Sequence, residues 1–211
     1  MMNRAHTQDV VRQRLSLLRL SRLHAHVIDP ERFSECVPGL SASARQALLQ
    51  SPRFMERISA RIASRFPLPL LSLDNDDPHA HLLLRGRENL RLMIRRAGAI
   101  WHAGVLRRVV LATERRALDA SLGPDIIPFA LHHVHLAPRT MPAALQGDAA
   151  DVVDRSGAAC LAVWMKDWPM DTVSRVNIML PAKIWPAHAS IEHATYASKI
   201  MEAVLGAGTR R

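Results

Sequence analysis

The sequence predicts an all-α fold: a single compact multi-helix domain spanning residues 1–211. Three observations predict it. Leu, Ala and Arg dominate the chain, and all three are good helix formers. Aromatic residues, the usual filling of sandwiches and barrels, amount to only 4%. Apolar residues recur three or four positions apart along most segments, and those segments are bounded by Pro, Gly or capping residues. With 211 residues and 48% hydrophobic content, the chain can bury one substantial core and is not disordered throughout.

The elements follow in order. Thr7 caps a first helix with Asp9 in its opening turn. Val11, Leu15 and Leu18 form one stripe and Leu20, Leu23 and Val27 an adjacent one, until Asp29-Pro30 stops the helix or begins a turn. After the Pro38-Gly39 turn, Ser41 opens a short helix, and Ser51-Pro52 opens another with Phe54, Met55, Ile58 and Ile62 on its apolar face. Arg53, Arg57, Arg61 and Arg65 recur every four residues and make a basic ridge, either a solvated face or a stripe for an acidic partner. These elements form an N-terminal helical layer over residues 1–65. An irregular Pro/Asp-rich connection follows near residues 66–78, with Asp74, Asn75, Asp76 and Asp77 in it; the glycine and final glutamate of a calcium loop are missing there.

The main helical body is expected over residues 82–205. Leu83, Leu90, Ile94 and Ala97 share a helical face, and Ala97-Gly98-Ala99 suits either close helix approach or a break. Leu106, Val109, Val110, Thr113 and Ala117 trace a second long helix, with Arg108 and Arg115 on its other side, which Gly123-Pro124 ends. Ile126, Ile127, Phe129, Ala130 and Leu131 begin another, ending near Pro138. A loop over residues 137–147 leads to a helix started by Asp148 or Asp151, with Leu161, Trp164, Met165 and Trp168 in register and Pro169 as its stop. Residues 173–180 are compatible with helix or strand, and helix is the expectation. Trp185 lies in a loop between Pro181 and Pro186, where it suits an exposed interface anchor. Ser190 caps a final helix reaching Gly206.

The formal charge is +9, almost all from arginine. One account is a phosphate-binding surface; the other is a GC-rich genome writing basic surface positions as Arg, which the even spread from Arg4 to Arg211 favours. Cys36 and Cys160 fit free thiols in a reducing cytosol. Residues 1–9 lack the basic-then-apolar pattern of an export signal, and no stretch approaches the ~18 apolar residues of a spanning helix. The expected location is the cytoplasm, with membrane contact only through a protein partner.

No constellation carries chemistry. His132 and His135 have an i,i+3 ligand spacing, but no HExxH and no nearby cysteine pair supports a metal site. GxSxG, Walker and GxGxxG signatures are missing, and Cys160 sits in an apolar helical run where a thiol packs. No cofactor and no small-molecule substrate are expected, and the chain is read as non-enzymatic. The rival is a small basic helical nucleic-acid binder using Arg107, Arg108, Arg115 and Arg116, but these four do not share one helix face.

The central block carries a resemblance. Leu90-Arg91 leads to Arg96-Ala97-Gly98, then to Leu106-Arg107-Arg108-Val109-Val110, Leu118, Leu122-Gly123 and Phe129-Ala130-Leu131; downstream come Gly157, Leu161, Trp168-Pro169, Arg175 and Leu180-Pro181. Over residues 82–181 this resembles the SctK (YscK-like) family of type III secretion sorting-platform subunits, nearest to the variant of plant-associated and related beta- and gammaproteobacterial systems. The resemblance implies a non-catalytic cytoplasmic adaptor at the inner-membrane face of the apparatus, linking the cytoplasmic domain of the ring protein SctD to the SctQ pods. Arg108, Arg115 and Trp185 are the candidate partner-binding residues, with the face of Arg108 and Arg115 expected to meet an acidic partner.

Overall fold

In a computed structural model, residues 15, 16, 18, 24–69, 71, 79–139, 144–186 and 190–208 are described. Among them the regular structure is helical throughout, with no strand, as the sequence predicts. The acidic run Asp74–Asp77 and most of the first expected helix lie outside these residues. The chain groups into two compact units: Met1–Glu88 with Trp168–Ala182, and Asn89–Asp167 with Lys183–Arg211.

The first unit is built from short helices, the first two of them capped by side chains. A 3-10 turn at His24–His26 leads to α1 (Pro30–Cys36). Asp29 and Pro30 start this helix. The buried Asp29 carboxylate accepts from Glu31 N at 2.8 Å, Pro30 takes the first turn, and Asp29 N–H donates to Ile178 O at 2.8 Å. Ser41 accepts from Ala44 N at 3.2 Å and caps α2 (Ala42–Gln50). Ser51-Pro52 opens a 3-10 turn, Pro52–Phe54, that runs into α3 (Met55–Arg65). The apolar face of α3, Met55, Ile58 and Ile62, is buried, and Ser59 Oγ on the same face accepts from Ala25 N at 3.3 Å.

The arginine ridge of α3 is divided between solvent and local contacts. Arg61 Nε donates to Cys36 O at 3.1 Å and Arg65 pairs with Glu35 at 3.6 Å, whereas Arg53 and Arg57 face solvent. The helix α4 (Ala80–Leu84) packs with α10 (Met170–Met179), the segment whose helix-or-strand pattern resolves to helix. Leu82, Leu83, Val176, Ile178 and Met179 are buried. Trp168 is buried too and stacks on His79 at 4.0 Å between centroids.

The second unit begins in α5 (Gly86–Trp101). The expected continuous helix through Leu83 and Leu90 is interrupted, because Gly86 takes φ +79, a left-handed conformation that a side chain disfavours. After α5 come α6 (Ala103–Leu106), α7 (Ala112–Leu122), α8 (Ile126–His132) and a 3-10 turn at Val134–Leu136. Asp148 accepts from Ala150 N at 2.8 Å and Asp151 N at 3.1 Å, and so caps α9 (Ala149–Trp164). Ser190 accepts from His193 N at 3.3 Å at the start of α11 (Ile191–Gly208), which packs along α9.

The crossing of α5 and α9 sets the geometry of this unit. Gly98 and Gly157 face each other so closely that a Cβ on either would be driven into a carbonyl of the opposite helix, that of Val153 or of Ile94. Each added Cβ would also lie 2.9 Å from the other glycine's amide nitrogen. Glycine is required there for backbone-to-backbone packing, which the small run Ala97-Gly98-Ala99 anticipates. Polar pairs fix the same two helices. Arg95 makes a bidentate ion pair with Asp154 at 3.0 and 2.7 Å, and that hydrogen bond raises the guanidinium pKa. His102 Nε2 lies 2.8 Å from Ser156 Oγ. Beside this crossing Ala99, Ala103, Leu106, Leu122, Ile126, Ile127, Ala130 and Val153 form a continuous buried cluster.

Candidate partner-binding surface

The run 106–122 is not the single long helix its spacing predicts. The helix α6 ends at Leu106, Arg107 and Arg108 turn, Val109 to Leu111 are non-helical, and α7 starts at Ala112. Two adjacent β-branched residues weaken helix formation at this point, and no core lies over them to compensate. Leu111, the N-cap residue of α7, is extended at φ −72 and ψ 128. The consequence is a corner whose outermost side chains are apolar, with Val110 87% and Leu111 60% exposed.

An open pocket of about 410 Å³ lies at this corner. Val105, Leu106 and Val109 contribute one side, Leu118 of α7 another, and Leu145 of the loop before α9 a third. Arg108 and Glu114 are its charged members. Leu118 and Leu145 also pack against the buried cluster, so the floor of the pocket is continuous with the core of the unit.

This geometry changes the roles of the expected binding residues. Arg108 is exposed at the pocket, on the turn after α6. Arg115 is on α7 and makes an i,i+4 ion pair with Asp119 at 3.3 Å. The two therefore do not share a face of one helix. Arg107 and Arg116 are exposed, and with Arg115 compensated the four arginines do not form one stripe. Trp185 is half-buried with its indole nitrogen turned inside, which is not the exposed anchor expected of it. Its position between Pro181 and Pro186 carries no signal that separates the two states.

The residues carrying the resemblance mostly build the scaffold. Leu90, Leu106 and Leu122 are buried, and Leu118 is partly so. Gly98 makes the helix crossing, and Gly123 ends α7 at φ +105. Phe129 lies under the Arg96 guanidinium at 4.8 Å. Arg91 is half-buried and Arg107 exposed. The exposed pair Val110-Leu111 was missed as a surface feature because helical spacing assigned Val110 to an inner face.

Several of the remaining chemical groups are taken up by packing. Cys36 and Cys160 are free and buried, and burial pushes the Cys160 thiol up to about 12, out of nucleophilic range. Burial, with a smaller contribution from His193, lowers the His102 pKa to about 4. His193 stacks on Trp101 at 3.8 Å, and its pKa is also lowered by burial. His133 Nδ1 donates to Phe129 O at 3.0 Å, while His132 and His135 are exposed. No group of three metal-capable side chains occurs among the described residues.

Comparison with known proteins places this architecture. The family described as YOP proteins translocation protein K (YscK) matches residues 9–203. The chain belongs to the YscK family. It is accordingly a component of the type III secretion apparatus. The nodulation protein NolU of Rhizobium fredii is 28% identical over 123 residues, which cover 58% of this chain and 58% of NolU. NolU of Sinorhizobium fredii (strain NBRC 101917 / NGR234) matches to the same extent. The chain thus spans 58% of the length of these curated relatives. No solved structure matches. Among the described residues no helix is long and apolar enough to cross a membrane.

Proposed function

We propose that this YscK-family protein is a non-catalytic cytoplasmic adaptor, peripheral at the inner-membrane face, that links the SctD ring to the SctQ pods of the sorting platform. The observation that carries the reading is the α6–α7 corner. Val110 and Leu111 stand next to each other in water beside an open apolar pocket, a pairing that the isolated exposed side chains Met170 and Ile191 do not make. Exposed apolar groups of this kind, rimmed by charge, are the usual anchors of protein recognition. The glycine crossing and the Arg95–Asp154 pair supply the fixed body that an adaptor needs.

The test is reciprocal co-purification from a strain that carries the secretion system. The tagged protein is expected to bring down both SctD and SctQ, and deleting its gene is expected to abolish secretion and detach SctQ from the ring. Recovery of neither component, or secretion that persists in the deletion strain, defeats the adaptor reading.

A further inference from the structure

The α6–α7 corner combines three features that the unit's own packing does not use. The first is the exposed apolar pair Val110 and Leu111. The second is the concave pocket of about 410 Å³ beside it, large enough for a bulky side chain. The third is charge. Over residues 107–116 the charged groups are Arg107, Arg108, Glu114, Arg115 and Arg116, and Asp119 compensates Arg115. Three arginines against one glutamate leave a local surplus of +2. Among the described residues none of those three arginines forms an ion pair. The uncapped start of α7, where Leu111 offers no acceptor to the first-turn amides, adds positive potential beside the same apolar pair.

We propose that this corner docks an acidic amphipathic segment of a protein partner. An apolar anchor of that segment sits in the pocket, its apolar side covers Val110 and Leu111, and its carboxylates face Arg107 and Arg108. The proposal rests on the adaptor reading and narrows it to one surface and one partner chemistry. Other occupants fit less well. A second copy of this chain carries the same +9 charge and is repelled. A nucleic-acid backbone satisfies the arginines but leaves Val110 and Leu111 against phosphate. A bilayer surface has no protruding side chain to fill a concave pocket.

The test uses the full-length protein and the purified SctD cytoplasmic domain and SctQ of its own secretion system, with affinity read by calorimetry at low and moderate salt. Two corner variants are compared with the wild type: V110D/L111D, and R107E/R108E, which leaves the apolar pair intact. M170D is the control, since Met170 is 69% exposed on α10 in the other unit. Circular dichroism and melting temperatures establish that each variant is folded. Both corner variants are expected to lose at least about tenfold in affinity for one of the two partners. R107E/R108E should also flatten the salt dependence, and M170D should bind as the wild type does.

If the wild type binds and both corner variants bind equally well, the docking proposal fails and the adaptor reading stands. If the wild type binds neither partner, the adaptor reading fails and takes the docking proposal with it. Loss by V110D/L111D of self-association in light scattering, or of binding to anionic vesicles, with partner binding intact, assigns the corner to another occupant and also overturns the proposal.

Discussion

Two places in the second unit use the same kinds of residue in opposite ways. At the α5–α9 crossing, two glycines bring backbones into contact, and Arg95 and His102 each find a partner on the facing helix. At the α6–α7 corner, two large apolar side chains and several arginines find no partner in the unit. The crossing has no room for change and no spare binding capacity; the corner has both. The proposed adaptor role needs the two together, because anchors recognise a partner well only when the body beneath them keeps its shape.

The contrast is broken most directly at the glycines. Gly98→Ala or Gly157→Ala places a methyl group inside an opposing carbonyl, and overpacking against backbone should destabilise by about 3 kcal/mol or more. Chemical denaturation would show it as a lower midpoint, and an unchanged midpoint would mean the helices separate freely.

Acid gives the next largest effect. His102 is folded with its pKa lowered from 6.5 to about 4, so the unfolded chain binds the extra proton between those values. Stability is fully present above pH 6.5, declines as pH falls towards 4, and should lose on the order of 2 kcal/mol over that window. His193, also lowered, acts in the same direction. Melting curves from pH 7.5 to 4 test this, with His102→Gln flattening the slope because its amide does not titrate in this range.

Removing one member of the half-buried Arg95–Asp154 pair should cost about 1–2 kcal/mol. Replacing both with leucine should recover part of that loss in a double-mutant cycle, and additive single effects would show the pair to be idle. The smallest expected effect is at the corner. Val110→Ser with Leu111→Ser should move folding stability by no more than about 0.5 kcal/mol, because both side chains are already in water. A large loss there would mean the corner is core after all.

The helical class was legible because its local signals are chemical. Ser41, Asp148 and Ser190 cap the helices they were expected to open, and Gly123 closes α7. The close approach at Gly98 was legible as a small-residue run, but its partner Gly157 lies far along the chain and no local pattern joins them. The break at residues 107–111 was hidden because Leu106, Val109, Val110 and Thr113 keep perfect helical spacing. Spacing records where side chains would point if a helix formed; it does not record whether a core waits for them. The proposed docking surface is invisible in the sequence for the same reason: an apolar residue exposed on a surface has the same letter as one already buried.

The glycine crossing also restricts how the two helices can slide. Shifting α5 along α9 by one turn, about 5.4 Å, would set each glycine against a neighbour bearing a side chain and would pull Arg95 away from Asp154. The pair therefore has one axial setting. A push delivered to one of these helices moves both of them as a strut instead of being absorbed by slippage between them.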